Sequence, residues 1–595
     1  MVSSKIEYIN GRACLIVDGK RVPSIAYITY FDERTHCQDF AKAGYDVYSL
    51  CASFNSLPLN PISGFSPLFG IFDVKGKPDY SQFDYNVRKI IEACPTAKIF
   101  PRVRISMPAW WVEENPDEVC PTRSGSYREA LFSDKFRESG AKMLREFIAH
   151  VQASDYCDNV IGYQIAGGGT EEWFHFDING SLSPCSEQKF NDYLAEHYPD
   201  ECVERVKVPE RRAYAGTGII EDPVAIRYLE FVAYGLAESI AHFAHVAKEC
   251  VNYEQIVGTF FGYSQAITSA LRGTFGVRYL LQNPDIDFFC STVSYANNRS
   301  LGMDWNEPCP GRSYNIHHKL YFLENDVRTF LSQYPDDSRP GVDPTKRYNT
   351  PLWLGPATEQ ESVWAVRKAF SRALTHATAC WWFDMWGGWF ASEWMMQEMA
   401  RYRKMMDELT QSDEPTTLAQ VAILIDETYA FRVGLGDPSF HNQKAVRDAL
   451  GNTGIPFDTL DVFDYRECEN YSAVLFSCPE KFDSPEMLEA KEFLRQKGIP
   501  FVQAPAEPEN ITPDVLRDLL VSAGAHCYCD TGDVIYHGNG YLVMNAATAG
   551  KKTVKLPYVA RVTPLDSDGP VTVSDTVEFT VRKFETLMFK AERVD

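Results

Sequence analysis

The sequence lacks long apolar runs and clusters of basic residues. No stretch of about 20 apolar residues, the length that spans a bilayer, occurs in the 595 residues. The first twenty residues contain no apolar segment of the kind found in signal peptides. Lysine and arginine number 58 against 81 acidic residues, a net charge of −23, which disfavours nucleic acid and anionic membranes as partners. We therefore expect a cytoplasmic protein with no membrane or nucleic-acid partner.

The sequence also lacks a repeated cysteine spacing. Its sixteen cysteines are scattered, which in a large chain without a signal peptide is typical of reduced thiols. Cys527 and Cys529 form the only closely spaced pair, and no two further ligands can be named for a metal there. We predict no metal site and no cofactor.

Short apolar runs alternate with helical patterns or long loops over residues 1–411, after a predicted β-hairpin at 5–22. There are eight such runs: 24–30, 45–50, 98–104, 159–165, 256–261, 286–291, 319–324 and 379–386. Eight strands, each followed by a helix or loop, are what a (β/α)₈ TIM barrel requires. We predict an α/β fold with this barrel; a doubly wound sheet is the alternative, and it leaves the residues at the strand ends unexplained.

Helical patterns separate these runs. They cover residues 81–94, 132–153, 186–196, 222–252, 265–282, 358–377 and 392–410. Thr358 and Glu361 have the spacing of a capping box, which places Glu359 and Glu361 in the first turn of a helix and not in a catalytic role.

The pattern of apolar and polar residues changes after residue 411. Residues 412–547 alternate strand and helix patterns and predict a flavodoxin-like α/β domain, and residues 548–595 alternate with period two and predict a small antiparallel β domain. Cys478 follows a strand, as the nucleophile cysteine of an amidotransferase does, but its neighbours Ser477 and Pro479 are not the glycines of a nucleophile elbow. An assembly role for the middle domain is therefore a better interpretation than an amidotransferase.

Carboxylates stand at the ends of two predicted barrel strands, where barrel enzymes gather their catalytic groups. Glu324 ends the apolar seventh run. Because burying an unpaired charge is costly, Glu324 must either reach solvent or lie at a site that needs a charge. Glu171 and Glu172 follow the fourth run. Two carboxylates among aromatic side chains suit glycoside cleavage, in which one is the nucleophile and the other the acid and base. The alternative is that all three are surface residues, with Glu324 paired to Arg328 or Lys319.

We interpret Glu324 as the nucleophile and Glu172 as the acid/base. Glu171 is the alternative acid, because neighbours in an extended chain point in opposite directions and only one should face the sugar. Arg104 and Tyr295 are expected to keep Glu324 ionised by hydrogen bonding.

Further side chains near these strand ends are predicted to bind substrate. Trp382 and Trp386 are expected closest to the sugar, since Trp381 and Trp382 face opposite sides of their strand. The full set is Arg104, Trp110, Trp111, Gln164, Glu171, Tyr295, Trp382, Asp384 and Trp386.

The glutamates after strands 4 and 7, the PAWW segment at 108–111 and the order of the three domains resemble clan A glycoside hydrolases. The layout is similar to family 42 β-galactosidases and family 164 β-mannosidases. This resemblance implies a retaining exo-β-glycosidase that cleaves short oligosaccharides by double displacement, and a middle domain that serves trimerisation.

One departure from that pattern affects the substrate. Clan A members usually carry asparagine just before the acid/base, and this chain has Glu171 or Thr170 there. The contact to the sugar's 2-hydroxyl, and with it the choice among galactose, mannose and glucose, therefore stays open. A non-catalytic sugar-binding barrel, and a transglycosidase or phosphorylase with the same carboxylates, are the alternative functions.

Overall fold

The computed structural model describes residues 2–176, 183–201, 204–265, 269–293, 295, 299–376, 378–412, 417–567 and 569–594. The chain begins with three antiparallel strands, Ser4–Ile9, Arg12–Val17 and Lys20–Val22. Within the hairpin predicted at 5–22, a turn at Asp18–Gly19 joins the last two of these strands.

Eight parallel strands follow and close into a ring. They are Ile25–Ile28; Val47–Tyr48 with Cys51–Ser53; Lys98–Ile99 with Arg102–Ile105; Gly162–Gly167; Ile256–Phe260; Phe288–Thr292; Leu320–Asn325; and Ala379–Phe383. Strands 2 and 3 are each interrupted. The first half of strand 2 pairs with the first half of strand 3, and the second half with the second half. Strand 3 continues the pairing through strands 4 to 8, and strand 8 pairs back to strand 1. The predicted TIM barrel is confirmed.

Helices surround this barrel close to where the sequence predicts them. The longer ones are Ser81–Ala93, Asp134–Gln152, Ser186–His197, Pro223–Cys250, Glu359–Thr375 and Glu393–Gln411. The capping box is confirmed, because the Thr358 hydroxyl oxygen accepts from the Glu361 amide at 3.2 Å.

The single helix predicted at 265–282 is wrong. Only the turn Ala270–Arg272 and the short helix Val277–Leu281 form there, and residues 266–268 lie outside the described part of the chain. Gly273 separates the two pieces with a φ of +80°, and a Cβ on it would lie 2.7 Å from His175 and Leu236. A left-handed glycine ends a helix.

The region after the barrel contains a parallel sheet of four strands, Val421–Ile425, Phe457–Asp461, Ala473–Phe476 and Phe501–Gln503. The second of these in sequence lies at the edge, so the spatial order is 2-1-3-4, as in flavodoxin-like folds. The helices Asn442–Leu450, Pro485–Lys497 and Pro513–Ser522 connect and cover it.

The last sheet is antiparallel, with strands Val534–Gly538, Tyr541–Asn545, Gly550–Pro564, Thr572–Val581 and Thr586–Arg593. Its first hairpin, 534–545, lies within the range that we predicted for the middle domain. That hairpin pairs with the final strand, so the antiparallel sheet begins before residue 548. Most of the segment 412–417 between the barrel and the middle sheet lies outside the described residues.

Across the described ranges, every helix is too short or too polar to cross a bilayer.

Candidate active site

A cavity of about 330 Å³ opens at the carboxyl ends of the barrel strands. Glu172, after strand 4, and Glu324, at the end of strand 7, both line it. Its wall is largely aromatic, with Phe174, Phe260, Tyr348, Trp353, Phe383 and Trp386. The fold therefore brings together two carboxylates that lie about 150 residues apart in the chain, in a space of the size that holds small ligands.

Glu324 is anchored by a buried arginine that the sequence interpretation missed. Arg102 donates from Nη2 to a carboxylate oxygen of Glu324, and both side chains are almost fully buried. Its guanidinium also stacks over the ring of Phe260, 4.0 Å from the centroid, and its Nε donates to Gln164 at 3.0 Å. The carboxylate is held between a fixed cation and the cavity.

Glu171 lies behind the cavity wall. It is fully buried, and its carboxylate accepts a hydrogen bond from the Tyr30 hydroxyl at 2.6 Å and lies 3.8 Å from Arg102. Glu171 therefore does not face a substrate. It shares the charge of Arg102 with Glu324.

Glu172 faces the cavity from a turn of unusual backbone shape. Thr170, Glu171 and Trp173 all have positive φ, so the chain here is coiled, and the expected alternation of an extended chain is not the reason that Glu172 faces inward. The Thr170 hydroxyl donates to the Glu172 carboxylate.

Burial and mutual repulsion set the charge of the two carboxylates. Burial raises the pKa of Glu172 to about 7; hydrogen bonds from Thr170 and Tyr263 oppose this rise, and the charge of Glu324 adds to it. Burial also raises the pKa of Glu324 to about 7, Arg102 opposes the rise, and Asp326 adds to it. The two groups therefore titrate near neutrality and influence each other.

The expected hydrogen bonds from Arg104 and Tyr295 to Glu324 are wrong. Arg104 points to the end of strand 2 and the loop after it, where it donates to Ser53, Asn55 and Leu57. Tyr295 lines the cavity, but its hydroxyl donates to Asp326 at 2.9 Å. Strand 3 carries two arginines on one face, and only Arg102, the one farther from the carboxyl end of the strand, contacts Glu324.

Three other predicted substrate-binding residues lie outside the cavity wall. The Trp110 indole N–H donates to the carbonyl of Phe72, and that of Trp111 donates to Ser139, both at 2.9 Å. Both tryptophans belong to the short helix Ala109–Glu114, which turns them away from the strand tip. Gln164 instead holds Arg102.

Strand 8 turns Trp381 inward and Trp382 outward, so the expectation for Trp382 is wrong. Trp381 packs under Arg102, while Trp382 donates its indole N–H to Tyr45 at 2.9 Å on the helix side. Trp386 does lie in the cavity wall. Asp384 is buried and accepts from the backbone amides of residues 388 and 389, which fixes the loop that carries Trp386.

The remaining cavity residues come mostly from long loops. Tyr348 and Trp353 belong to the loop after strand 7, and Arg123 and Arg272 come from the segments after strands 3 and 5. Loop residues have no periodicity that would assign them to a pocket. Arg102 could have been found by its position two residues before Arg104 on the same strand face.

Gly168 holds the turn that presents Glu172. Its φ is +62°, and a Cβ would lie 2.7 Å from the carbonyl oxygen of Phe174. We expect Gly168→Ala to displace Glu172 and lower kcat by up to about 100-fold, as measured with an aryl glycoside. Gly76→Ala is the matched control, because Gly76 has a φ of +71° with open space around it. The left-handed conformation should cost each variant about 1–2 kcal/mol of stability, and the close approach to Phe174 adds to the cost at Gly168. Equal losses of activity would contradict the role of Gly168.

Arg102→Gln should leave two buried carboxylates without their cation. We expect about 3–5 kcal/mol of lost stability and a higher pKa for Glu324, which moves the acid limb of the pH profile upward. At pH 7, kcat/KM falls roughly tenfold for each unit by which that pKa rises. Arg104→Gln, in the same strand and equally buried, should lose stability without this shift. An unmoved acid limb in Arg102→Gln would contradict the role assigned to Arg102.

Among the described residues, no group of three or more histidine, cysteine, aspartate or glutamate side chains is arranged to hold a metal ion.

Solved structures with a similar fold include glycoside hydrolases. A β-galactosidase from Bacillus circulans sp. alkalophilus aligns over 96% of this chain and 99% of its own, with a TM-score of 0.63 and 12% identity. A GH42 β-galactosidase from G. stearothermophilus, in the form of a catalytic mutant, aligns over 94% and 95%, with a TM-score of 0.57 and 10% identity.

An α-L-fucosidase from Paenibacillus thiaminolyticus aligns over 96% of this chain and 100% of its own, with a TM-score of 0.52 and 10% identity. Comparison with protein-family models and with curated protein sequences gives no match. The resemblance to family 42 is thus a likeness of the whole three-part fold.

Proposed function

We propose that this chain is a retaining β-glycosidase, with Glu324 as the nucleophile and Glu172 as the acid/base. The observation that carries this proposal is the position of the two carboxylates, which line one cavity from the ends of strands 4 and 7. The likeness to β-galactosidase folds supports it.

In the first step, the Glu324 carboxylate attacks the anomeric carbon. The bond from that carbon to the leaving oxygen breaks, and Glu172 gives its proton to that oxygen. Arg102 keeps Glu324 oriented and favours its ionised form. The products of this step are a neutral glycosyl ester on Glu324, a free alcohol and an ionised Glu172.

In the second step, Glu172 takes a proton from water, and that water attacks the anomeric carbon. The ester bond breaks, the sugar leaves with its original anomeric configuration, and Glu324 becomes a carboxylate again. The charge of Glu324 raises the pKa of Glu172 in the free site. Esterification removes that charge, so the pKa of Glu172 falls at the moment when Glu172 must act as a base.

The aromatic wall suits sugar binding. Trp386 and Trp353 lie 5.2 Å apart between ring centroids, and Tyr348 packs against both. Their flat faces match the C–H side of a pyranose ring. The limited volume favours short oligosaccharides or simple glycosides.

A panel of 4-nitrophenyl β-glycosides tests this function. We expect hydrolysis of at least one member, and proton NMR should show the β-anomer as the first product. First release of the α-anomer would exclude retention, and no hydrolysis by a folded protein that binds the sugar would favour the sugar-binding barrel. Turnover that depends on added phosphate would identify a phosphorylase.

The pH profile of kcat/KM should be bell-shaped with its maximum near neutrality. Glu324 must be ionised, so activity falls as pH drops below its pKa of about 7. Glu172 must be protonated, so activity falls as pH rises above its pKa of about 7. Because the two groups share a site, the two limbs of the profile give apparent pKa values that belong to the pair. Initial rates between pH 4 and 10 check this, and a rate that stays constant across that range would contradict both assignments.

We also propose, from the resemblance alone, a trimer assembled through the middle domain and, from the scattered cysteines, a location in the cytoplasm. The mass of the assembly in solution tests the first of these, and a monomeric mass would contradict it.

A further inference from the structure

Three arginines stand around the mouth of the cavity. Arg123 comes from the hairpin after strand 3, Arg272 from the turn after strand 5, and Arg347 from the long loop after strand 7. In a chain with a net charge of −23, three cations from separate segments line this one cavity together with the two carboxylates Glu172 and Glu324.

None of these three guanidinium groups has a carboxylate within 4.0 Å, or a hydrogen-bond acceptor, in the part of the chain that the structure describes. Other arginines near the site are paired: Arg102 with Glu324, and Arg299 and Arg328 with Asp326. The three at the mouth therefore offer free donor forks to the cavity, and planar forks of this kind bind oxyanions through two parallel hydrogen bonds.

Arg272 is the best placed of the three. Burial lowers its pKa, the nearby charge of Arg123 lowers it further, and Glu172 opposes this effect. Arg272 and Arg123 line the same cavity as Glu172 and repel each other, and a bound anion would relieve that repulsion. The turn that carries Arg272 is tied to the Glu172 segment, because the His175 amide donates to the Arg272 carbonyl at 3.2 Å.

We propose that the leaving group of the natural substrate carries an oxyanion, a carboxylate or a sulfate, which Arg272 and Arg123 bind while Arg347 adds positive charge at the mouth. This inference rests on the proposed function. The acid/base contacts the leaving oxygen, and the turn that carries Arg272 is bound to the Glu172 segment, so the anion belongs to the leaving group and not to the sugar that becomes esterified.

Three β-glycosides with the same sugar test this proposal. Their leaving groups are 4-hydroxybenzoate, 4-hydroxybenzenesulfonate and the neutral 4-hydroxybenzamide, phenols of similar acidity. We expect kcat/KM for at least one anionic substrate to exceed that for the neutral one by about tenfold or more, and the preference to shrink as salt is added. The two anionic arms distinguish a carboxylate from a sulfate-like group.

Arg272→Gln and Arg123→Gln should each reduce this preference, and Arg123 is exposed enough that its replacement does not endanger folding. Arg466→Gln removes the same charge from the surface of the middle domain, where Arg466 pairs with Glu489, and should keep the preference. Equal reduction in all three variants would show a general charge effect and overturn the proposal.

The hydrolysis rates of the three glycosides, together with calorimetric binding of the three free phenols, separate the anion site from the glycosidase function. Hydrolysis of all three glycosides at equal kcat/KM overturns the anion site and leaves the glycosidase function standing. Absence of any hydrolysis overturns the function and the leaving-group assignment together, whether or not the phenols bind. Anion-selective binding that Arg272→Gln weakens, in an active enzyme, supports the inference.

Discussion

Glu324→Ala is expected to lower kcat for a 4-nitrophenyl β-glycoside by at least about 10³-fold, because Glu172, the one other carboxylate among the described residues that line the cavity, serves as the acid/base. Glu171 cannot substitute, since it is fully buried and bound to Tyr30. Thermal unfolding followed by circular dichroism will show whether the variant is folded. Glu361→Gln, in the first turn of a helix outside the cavity, is the control for loss of a glutamate and should keep full activity.

Azide distinguishes a missing nucleophile from a damaged site. In Glu324→Ala, azide can occupy the space of the lost carboxylate and attack the anomeric carbon, while Glu172 still protonates the leaving oxygen. The product should be the α-glycosyl azide, which NMR identifies. Recovery of activity with a β-azide, or an active Glu324→Ala without azide, would contradict the nucleophile assignment.

Glu172→Ala should produce a loss that depends on the leaving group. A substrate with a poor leaving group needs the proton from Glu172, and its turnover should fall by about 10²–10⁴-fold. A dinitrophenyl glycoside needs little proton assistance, so its first step should remain fast and the glycosyl ester on Glu324 should accumulate. A burst of phenol followed by slow turnover is the signature to measure.

Azide also tests the Glu172→Ala variant. It attacks the glycosyl ester without needing a base, so it should speed turnover of Glu172→Ala and give the β-glycosyl azide. Glu171→Gln provides the comparison, because it changes the neighbouring carboxylate that faces Tyr30 and Arg102. A variant at Glu171 that showed the same burst and β-azide would transfer the acid/base role to Glu171.

The fold could be predicted because its signals are local. Apolar runs of four to eight residues between amphipathic helices identify strands of a parallel barrel wherever they stand in the chain. The helix predicted at 265–282 is the exception, because its apolar spacing continues across Gly273, which is left-handed and packed so closely that a Cβ would lie 2.7 Å from His175 and Leu236. That contact belongs to another part of the chain and leaves no trace in local spacing.

The sequence by itself determined which segments form strands and which carboxylates stand at their ends, since a strand and its tip are defined within a few residues. Only the tertiary structure decided that Arg102 and not Arg104 meets Glu324, that Trp381 and not Trp382 faces inward, and that Glu172 and not Glu171 borders the cavity. Arg102 and Glu324 are 222 positions apart. The period of two in a strand gives the face of a side chain but neither its height in the barrel nor its partner, which closure of the ring fixes.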